Sequence, residues 1–353
     1  MKRNSEFRDE SQQASLLTTI VGQFVRNSTK IRAITRCRGG FSGSKTWEVK
    51  LPQGSYCLRQ WSPSVTAERI LWIHREIGSR KAEGMDILPE YLMANSHQTI
   101  AEEMGSFWEL ATWLPGKPVE LPPEDHHGQA MFGALARLHA QGETKNKLSG
   151  NLTTSPGIES RLDVLGRWRG IDDSRFTQLT EGHLRHLRPL AEQLWAGFRR
   201  FELPLRGALE WGTTVRLPIV TCIGDPRPEH FLFEADRLTG LIDFGSLRQD
   251  FLALDLARLA GELYGNNLAQ WELAEAWYGS DNQAMAPQWE VAWVFDAANA
   301  LLSGLNWIDW LWVQRRRFDD LAEVEKRLRA LVSRIDKLPG HPAFSIGKRA
   351  SHA

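Results

Sequence analysis

Two acids at the ends of neighbouring apolar runs constrain this chain more than any other feature. They lie between Cys222 and Arg258, in CIGDPRPEHFLFEADRLTGLIDFGSLRQDFLALDLAR. A short β-like run, Ile219 to Ile223, delivers Asp225; a polar loop then leads to a second apolar run, His230 to Phe233. Ala235-Asp236-Arg237 turns the chain into a third run, Leu238 to Phe244, ending in Asp243-Phe244-Gly245. Paired strand-end carboxylates, with an imidazole at His230, suit phosphoryl transfer. One acid orients a hydroxyl and accepts its proton; the other holds Mg²⁺ against phosphate oxygens.

This stretch resembles the catalytic and metal-binding region of the aminoglycoside phosphotransferase and choline kinase-like family, whose fold is that of protein kinases. The family reads H-G-D-x-x-x-x-N, then I-D-F or I-D-W, then D-P-x-x-D-L-A. The matching residues are Ile223-Gly224-Asp225, His230 at the Asn place, Ile242-Asp243-Phe244, and Asp250 with Asp255-Leu256-Ala257. The resemblance implies a two-lobed α+β kinase-like fold, with a small antiparallel-sheet lobe for nucleotide and a larger, mostly helical lobe. It also implies ATP, or GTP, with Mg²⁺ as cofactors. Asp225 is then the catalytic base and Asp243 the principal metal ligand. His230 has three readings: second metal ligand, partner that fixes Asp225, or core histidine. Imidazole is softer than the amide oxygen it replaces and less natural for Mg²⁺. Ile223 stands where the family has His, a change that touches loop packing.

Upstream, three β-like runs span Lys30 to Arg38, Lys45 to Leu51 and Tyr56 to Trp61. Between the first two lies Arg38-Gly39-Gly40-Phe41-Ser42-Gly43-Ser44, whose glycines and hydroxyls let backbone N–H groups approach phosphates closely; a plain hairpin turn is the alternative. The resemblance makes Gly39, Gly40, Ser42, Gly43 and Ser44 nucleotide-binding. Arg59 takes the strand position where the family carries a phosphate-holding Lys, and can bind phosphate bidentately. Thr66 caps a helix with Ile70, Ile73 and Ile77 as its buried stripe. Its Glu68, or failing that Glu76, would pair with the strand cation. The link between lobes is expected at Trp108 to Gly116, giving a nucleotide lobe over 1–113, a catalytic and acceptor lobe over 114–338, and a loose tail over 339–353.

Ahead of these, residues 14–26 read as an amphipathic helix, and helical periodicity returns at His126 and over His183 to Arg200. Val291 to Val313 is apolar enough to raise a membrane span. Its Asp296 and Asp309 argue for a buried helix instead, since each acid near a bilayer centre costs about 2.5–3.5 kcal/mol. Asp296, Asn299 and Asn306 fall on one stripe of that helix and need partners, either other helices or a polar substrate. A formal net charge of +0 favours neither nucleic acid nor an anionic membrane. Three scattered cysteines and no evident signal peptide fit a reduced, cytoplasmic protein. The expected activity is transfer of the γ-phosphate to a hydroxyl of a small polar acceptor. The competing expectation is a pseudokinase that keeps the fold for binding, given Ile223, Arg59 and His230. Acceptor identity and oligomeric state stay open.

Overall fold

The computed structural model describes residues 2–25, 30–37, 43–141, 152–279, 285–318 and 320–350. They divide into two units, one formed by 1–118, 141–143 and 230–245, the other by 119–140, 144–229 and 246–353.

The first unit opens with helix α1 (Lys2–Phe24) and strands β1 (Ala33–Arg36), β2 (Lys45–Leu51) and β3 (Gly54–Gln60). Helix α2 (Ala67–Ala82) precedes β4 (Ala101–Glu103) and β5 (Ser106–Thr112). The five strands pair antiparallel in the order β1-β2-β3-β5-β4. Alternation along β2 turns Trp47, Val49 and Leu51 to the face that Leu17, Ile20, Val21 and Phe24 of α1 cover, so one stripe and one sheet face make this core. Thr66 caps α2 by accepting from the Arg69 amide, and Ile70, Ile73 and Ile77 are buried as expected. The hairpin of β7 (Phe231–Glu234) and β8 (Arg237–Leu241) also belongs to this unit. It is tied in by Lys117, whose amide donates to Phe233 at 3.0 Å, and by Leu241, whose amide donates to Ile87 at 2.8 Å.

The second unit is helical: α3 (Asp125–Ala140), α4 (Pro156–Arg169), α5 (Asp173–Thr180), α6 (Arg188–Gly212), α7 (Ala253–Tyr264), α8 (Leu268–Tyr278), α9 (Ala286–Ile308), α10 (Leu321–Asp336) and α11 (Pro342–Ala350). Between α6 and α7, β6 (Val220–Cys222) pairs antiparallel with β9 (Arg248–Asp250). Helix α9 runs into a short π-helical segment, Asp309–Val313, and is buried against protein. No described helix is long and apolar enough to cross a membrane.

Three expectations change and two helices are added. Helix α1 extends well ahead of residue 14. The helix expected from His183 begins at Arg188, with Pro189 in its first turn where a missing N–H costs nothing, and runs on through Pro204. Residues 156–180, not assigned from sequence, form α4 and α5, capped by Ser155 and Asp172. The expected loose tail carries α11: Pro342 opens it, and Ala343 and Ile346 are buried after His341. Apolar residues at one-turn spacing were sufficient to hold so short a helix once α6 and α9 offered a surface.

Candidate active site

Within the first unit, the β7–β8 hairpin sets the spacing of two predicted residues. The Ile242 amide donates to the His230 carbonyl at 3.0 Å, which pins the hairpin's open end and leaves Asp243 one residue beyond it. Asp243 adopts φ +62°, a left-handed conformation that Asp tolerates better than most residues. Its Oδ1 accepts from Arg59 Nη1 at 3.4 Å and from the Gly245 amide at 3.4 Å. His230 Nε2 stands 3.8 Å from the other oxygen. Burial would raise the Asp243 pKa, but Arg59, His230 and the Gly245 amide outweigh it and hold the carboxyl below its ordinary value. The side chain is still 49% exposed, so an ionised oxygen faces open space.

Arg59 reaches Asp243 from the middle of β3, where its cross-strand neighbours are Thr46 and Glu109. Burial would lower its pKa; Asp243 and Glu109 offset that and raise it. The guanidinium lies over the Trp61 ring at 4.2 Å, and its buried Nε has no hydrogen-bond partner among the described residues. Glu109 in turn accepts from Trp61 Nε1 at 2.6 Å and lies 2.8 Å from His74 Nε2, while His74 Nδ1 meets Thr99 at 2.7 Å. Helix α2 therefore connects to the strand bearing Arg59 through His74 and Glu109. Glu68 sits in the exposed first turn of α2, near its own cap, and no ion pair joins it to Arg59. Glu76 pairs with Arg80 at 2.9 Å. Gly43, at φ +80°, and Ser44 immediately precede β2; Gly39, Gly40 and Ser42 lie outside the described residues.

Asp225 belongs to the second unit. Its loop is held by Asp255, whose two oxygens accept from the Ile223 amide at 2.7 Å and the Gly224 amide at 2.8 Å. His139 braces Asp255 at 3.0 Å and meets the Tyr278 hydroxyl at 2.8 Å. Gly224 has φ +85°, and a Cβ there would meet the Ser246 carbonyl oxygen at 2.3 Å, so only glycine lets the chain turn toward Asp225. Ile223 is fully buried and fills the loop's underside.

The residue that sequence reading missed is Arg258. Its Nε donates to Asp225 Oδ1 at 2.5 Å, and its Nη1 lies 2.9 Å from Glu262. Glu262 also takes Arg327 at 2.9 Å and Arg227 at 3.8 Å. Burial opposes its charge, yet the three guanidinium groups pull its pKa down to about 2. The only sequence signal was position: Arg258 follows Asp255 by three, on the same face of α7.

A cleft of about 200 Å³ lies among α7, α9 and α10, lined in part by Arg258, Glu262, Asp296, Asn299, Arg327 and Arg334. Asp296 is buried and paired with Arg334 of α10 and with His341 just ahead of α11, so the protein itself supplies its partners. Asn299 accepts from Arg161 at 2.8 Å. Asn306, further along α9, is exposed and does not line this cleft.

Residues 33–292 match the sequence profile of the phosphotransferase enzyme family, APH. The chain belongs to that family. Solved structures of phosphotransferases share its fold. Spectinomycin phosphotransferase APH(9)-Ia, in complex with ADP and spectinomycin, aligns with TM-score 0.57 at 11% identity, covering 92% of this chain and 94% of that one. Amicoumacin kinase hAmiN, in complex with AMP-PNP, Ca²⁺ and amicoumacin, gives 0.59 at 12% identity over 95% and 96%. Macrolide 2′-phosphotransferase MphH from Brachybacterium faecium gives 0.52 at 16% identity over 89% and 97%. No curated protein matches the chain. The APH-family member is thus a kinase-like phosphotransferase in fold and family, a small antiparallel sheet accompanied by a larger helical part.

Proposed function

We propose that this APH-family chain is a small-molecule kinase that moves the γ-phosphate of ATP, or of GTP, to a hydroxyl of a small polar acceptor with Mg²⁺. The observation that carries this reading is Asp243: an ionised carboxylate, half open, with a guanidinium and an imidazole beside it. A hard divalent cation suits such an oxygen, and two of the related structures contain ADP or AMP-PNP, one of them with Ca²⁺. The donor set fits Mg²⁺ through Asp243; His230 is the weaker ligand, since Mg²⁺ prefers oxygen. The orphaned Nε of Arg59 fits a phosphate oxygen, which would satisfy it. A bound Mg²⁺ would neutralise charge building on the transferred phosphoryl group.

The chain's own residues supply the rest. Asp225 orients the acceptor hydroxyl and accepts its proton, while Asp255 fixes the backbone that carries it. Gly39, Gly40, Ser42, Gly43 and Ser44 are proposed to bring backbone amides to the phosphates; Glu68, exposed in the first turn of α2, would have to move to pair with Arg59. The first unit (proposed as the nucleotide-holding lobe) and the second (proposed as the acceptor lobe) divide the work. A cytoplasmic setting with no membrane or nucleic-acid partner accords with the sequence.

The test is thermal unfolding with ATP and GTP, each with and without Mg²⁺. A ligand at about 100 times its Kd stabilises a fold by about 2.7 kcal/mol, a rise of several degrees. A Mg²⁺-dependent rise that disappears in Asp243→Ala is expected. Asp225→Asn should then cut ADP release by about 10²–10⁴-fold while leaving nucleotide binding intact. The pseudokinase is the second reading. It is favoured by Arg59 leaning on Asp243 and Arg258 on Asp225, which leaves both acids already paired. Nucleotide-dependent stabilisation with no ADP release above background, in the parent chain as in Asp225→Asn, would favour it.

A further inference from the structure

The carboxylates in and beside the cleft of the second unit are already neutralised by arginines. Glu262 is shared by Arg258, Arg327 and Arg227, and Asp296 by Arg334 and His341. A polycation entering here would find no unpaired acid. The guanidinium groups, in contrast, keep donors in reserve. A guanidinium has five N–H bonds; Arg327 spends one nitrogen on Glu262, and Arg258 spends two on Asp225 and Glu262. Three arginines face two acids around the lining.

Arg161 adds a separate observation. It stands behind Asn299, donating to the Asn299 amide oxygen at 2.8 Å and to the Gly157 carbonyl at 3.0 Å, with its guanidinium over the Phe295 ring. No carboxylate lies within ion-pair distance of it among the described residues. Burial, with Arg248 and Arg258 nearby, pulls its pKa down to about 10 despite the attraction of Asp250. Arg161 thus places a buried guanidinium behind Asn299 of the lining.

We propose that this cleft binds an anionic acceptor: a small hydroxylated molecule carrying a carboxylate or phosphate, held by Arg327 and Arg258 so that its hydroxyl reaches Asp225. The proposal rests on the kinase reading for Asp225, but the anion site can be read by binding alone, without turnover.

The experiment uses the full chain with a non-hydrolysable ATP analogue and Mg²⁺ at saturation, so that nucleotide subsites are filled. Calorimetric titration compares glucose 6-phosphate, gluconate, glucose and kanamycin. Arg327→Gln removes a lining guanidinium. Because it also loosens Glu262, Ala330→Glu serves as a second variant, adding an acid at an exposed lining position without deleting a contact. Arg329→Gln, on the exposed side of α10, repeats the charge change elsewhere.

At least tenfold tighter binding of glucose 6-phosphate or gluconate than of glucose is expected, weakened tenfold or more by Arg327→Gln and by Ala330→Glu but not by Arg329→Gln. Kanamycin should not bind. Preference for kanamycin or glucose, absence of binding by both anions, or anion binding indifferent to Ala330→Glu would each overturn the proposal. Failure of the ATP analogue to bind would strike the kinase reading instead, and the anion titrations in its absence would still decide this one. Where both stand, the preferred anion should raise ADP release.

Discussion

Glu262 is the residue on which three guanidinium groups converge, and its charge has a measurable cost of removal. Its folded pKa of about 2 lies below the ordinary glutamate value of 4.5. The stabilisation is therefore complete above about pH 4.5 and is lost as pH falls from there towards 2. Glu262→Gln should lower stability by about 2 kcal/mol at pH 7, and the two proteins should converge by pH 2–3 in urea titrations; a constant difference down to that pH would refute the ionic origin. Gly261, the residue before Glu262 on α7, admits Asp296: a Cβ there would collide with Asp296 Oδ1. Gly261→Ala should destabilise by about 1–3 kcal/mol in the same assay. At this scale the sequence singled out Asp225 and Asp243 as candidates, because both sit in local phrases of fixed spacing. It was silent on Arg258, Glu262 and Arg161, whose meaning depends on α7, α9 and α10 meeting side by side. The Glu109–His74 link was equally hidden, since it joins a strand to a helix separated from it in sequence.

Among elements, period-2 and period-3.6 patterns identified β2, β3, α2 and α9 with little adjustment, because each is amphipathic or uniformly buried over several turns or pleats. The boundaries of α6 and the existence of α4, α5 and α11 were not legible. Helices α4 and α5 have polar, low-contrast faces, and α11 is a nine-residue helix whose stability comes from what it packs against. Helix α11 brings His341 to Asp296 and buries Ala343 and Ile346. Ending the chain at Leu338 strips those apolar side chains from water-free positions and leaves Asp296 with one partner fewer. The apparent Tm should fall by several degrees, since each kcal/mol corresponds to about 2–4 °C in a chain of this class. Ile346→Asp should reproduce most of that fall in differential scanning calorimetry; an unchanged Tm in both would mean α11 contributes nothing to the fold.

For the whole molecule, stability rests on packing and ion pairs, with no covalent staple. Cys37, Cys57 and Cys222 are all free thiols, and burial pushes Cys57 up to about 12 and Cys222 well above its usual range. Reductant should leave Tm unchanged, and slow thiol labelling of Cys222 should track unfolding. The chain also visits its first unit in separate passages, returning for residues 230–245 after most of the second unit's first helices have gone by. During synthesis, then, the first unit stays without its β7–β8 hairpin until the chain has passed residue 245. At about 5–20 residues per second that interval is on the order of ten seconds. Through it, Ile87 and Lys117 wait for the backbone hydrogen bonds they later share with Leu241 and Phe233. The nascent N-terminal segment is thus exposed to chaperones and proteases on the ribosome for a time set by translation speed, and slow codons between residues 119 and 229 would lengthen it.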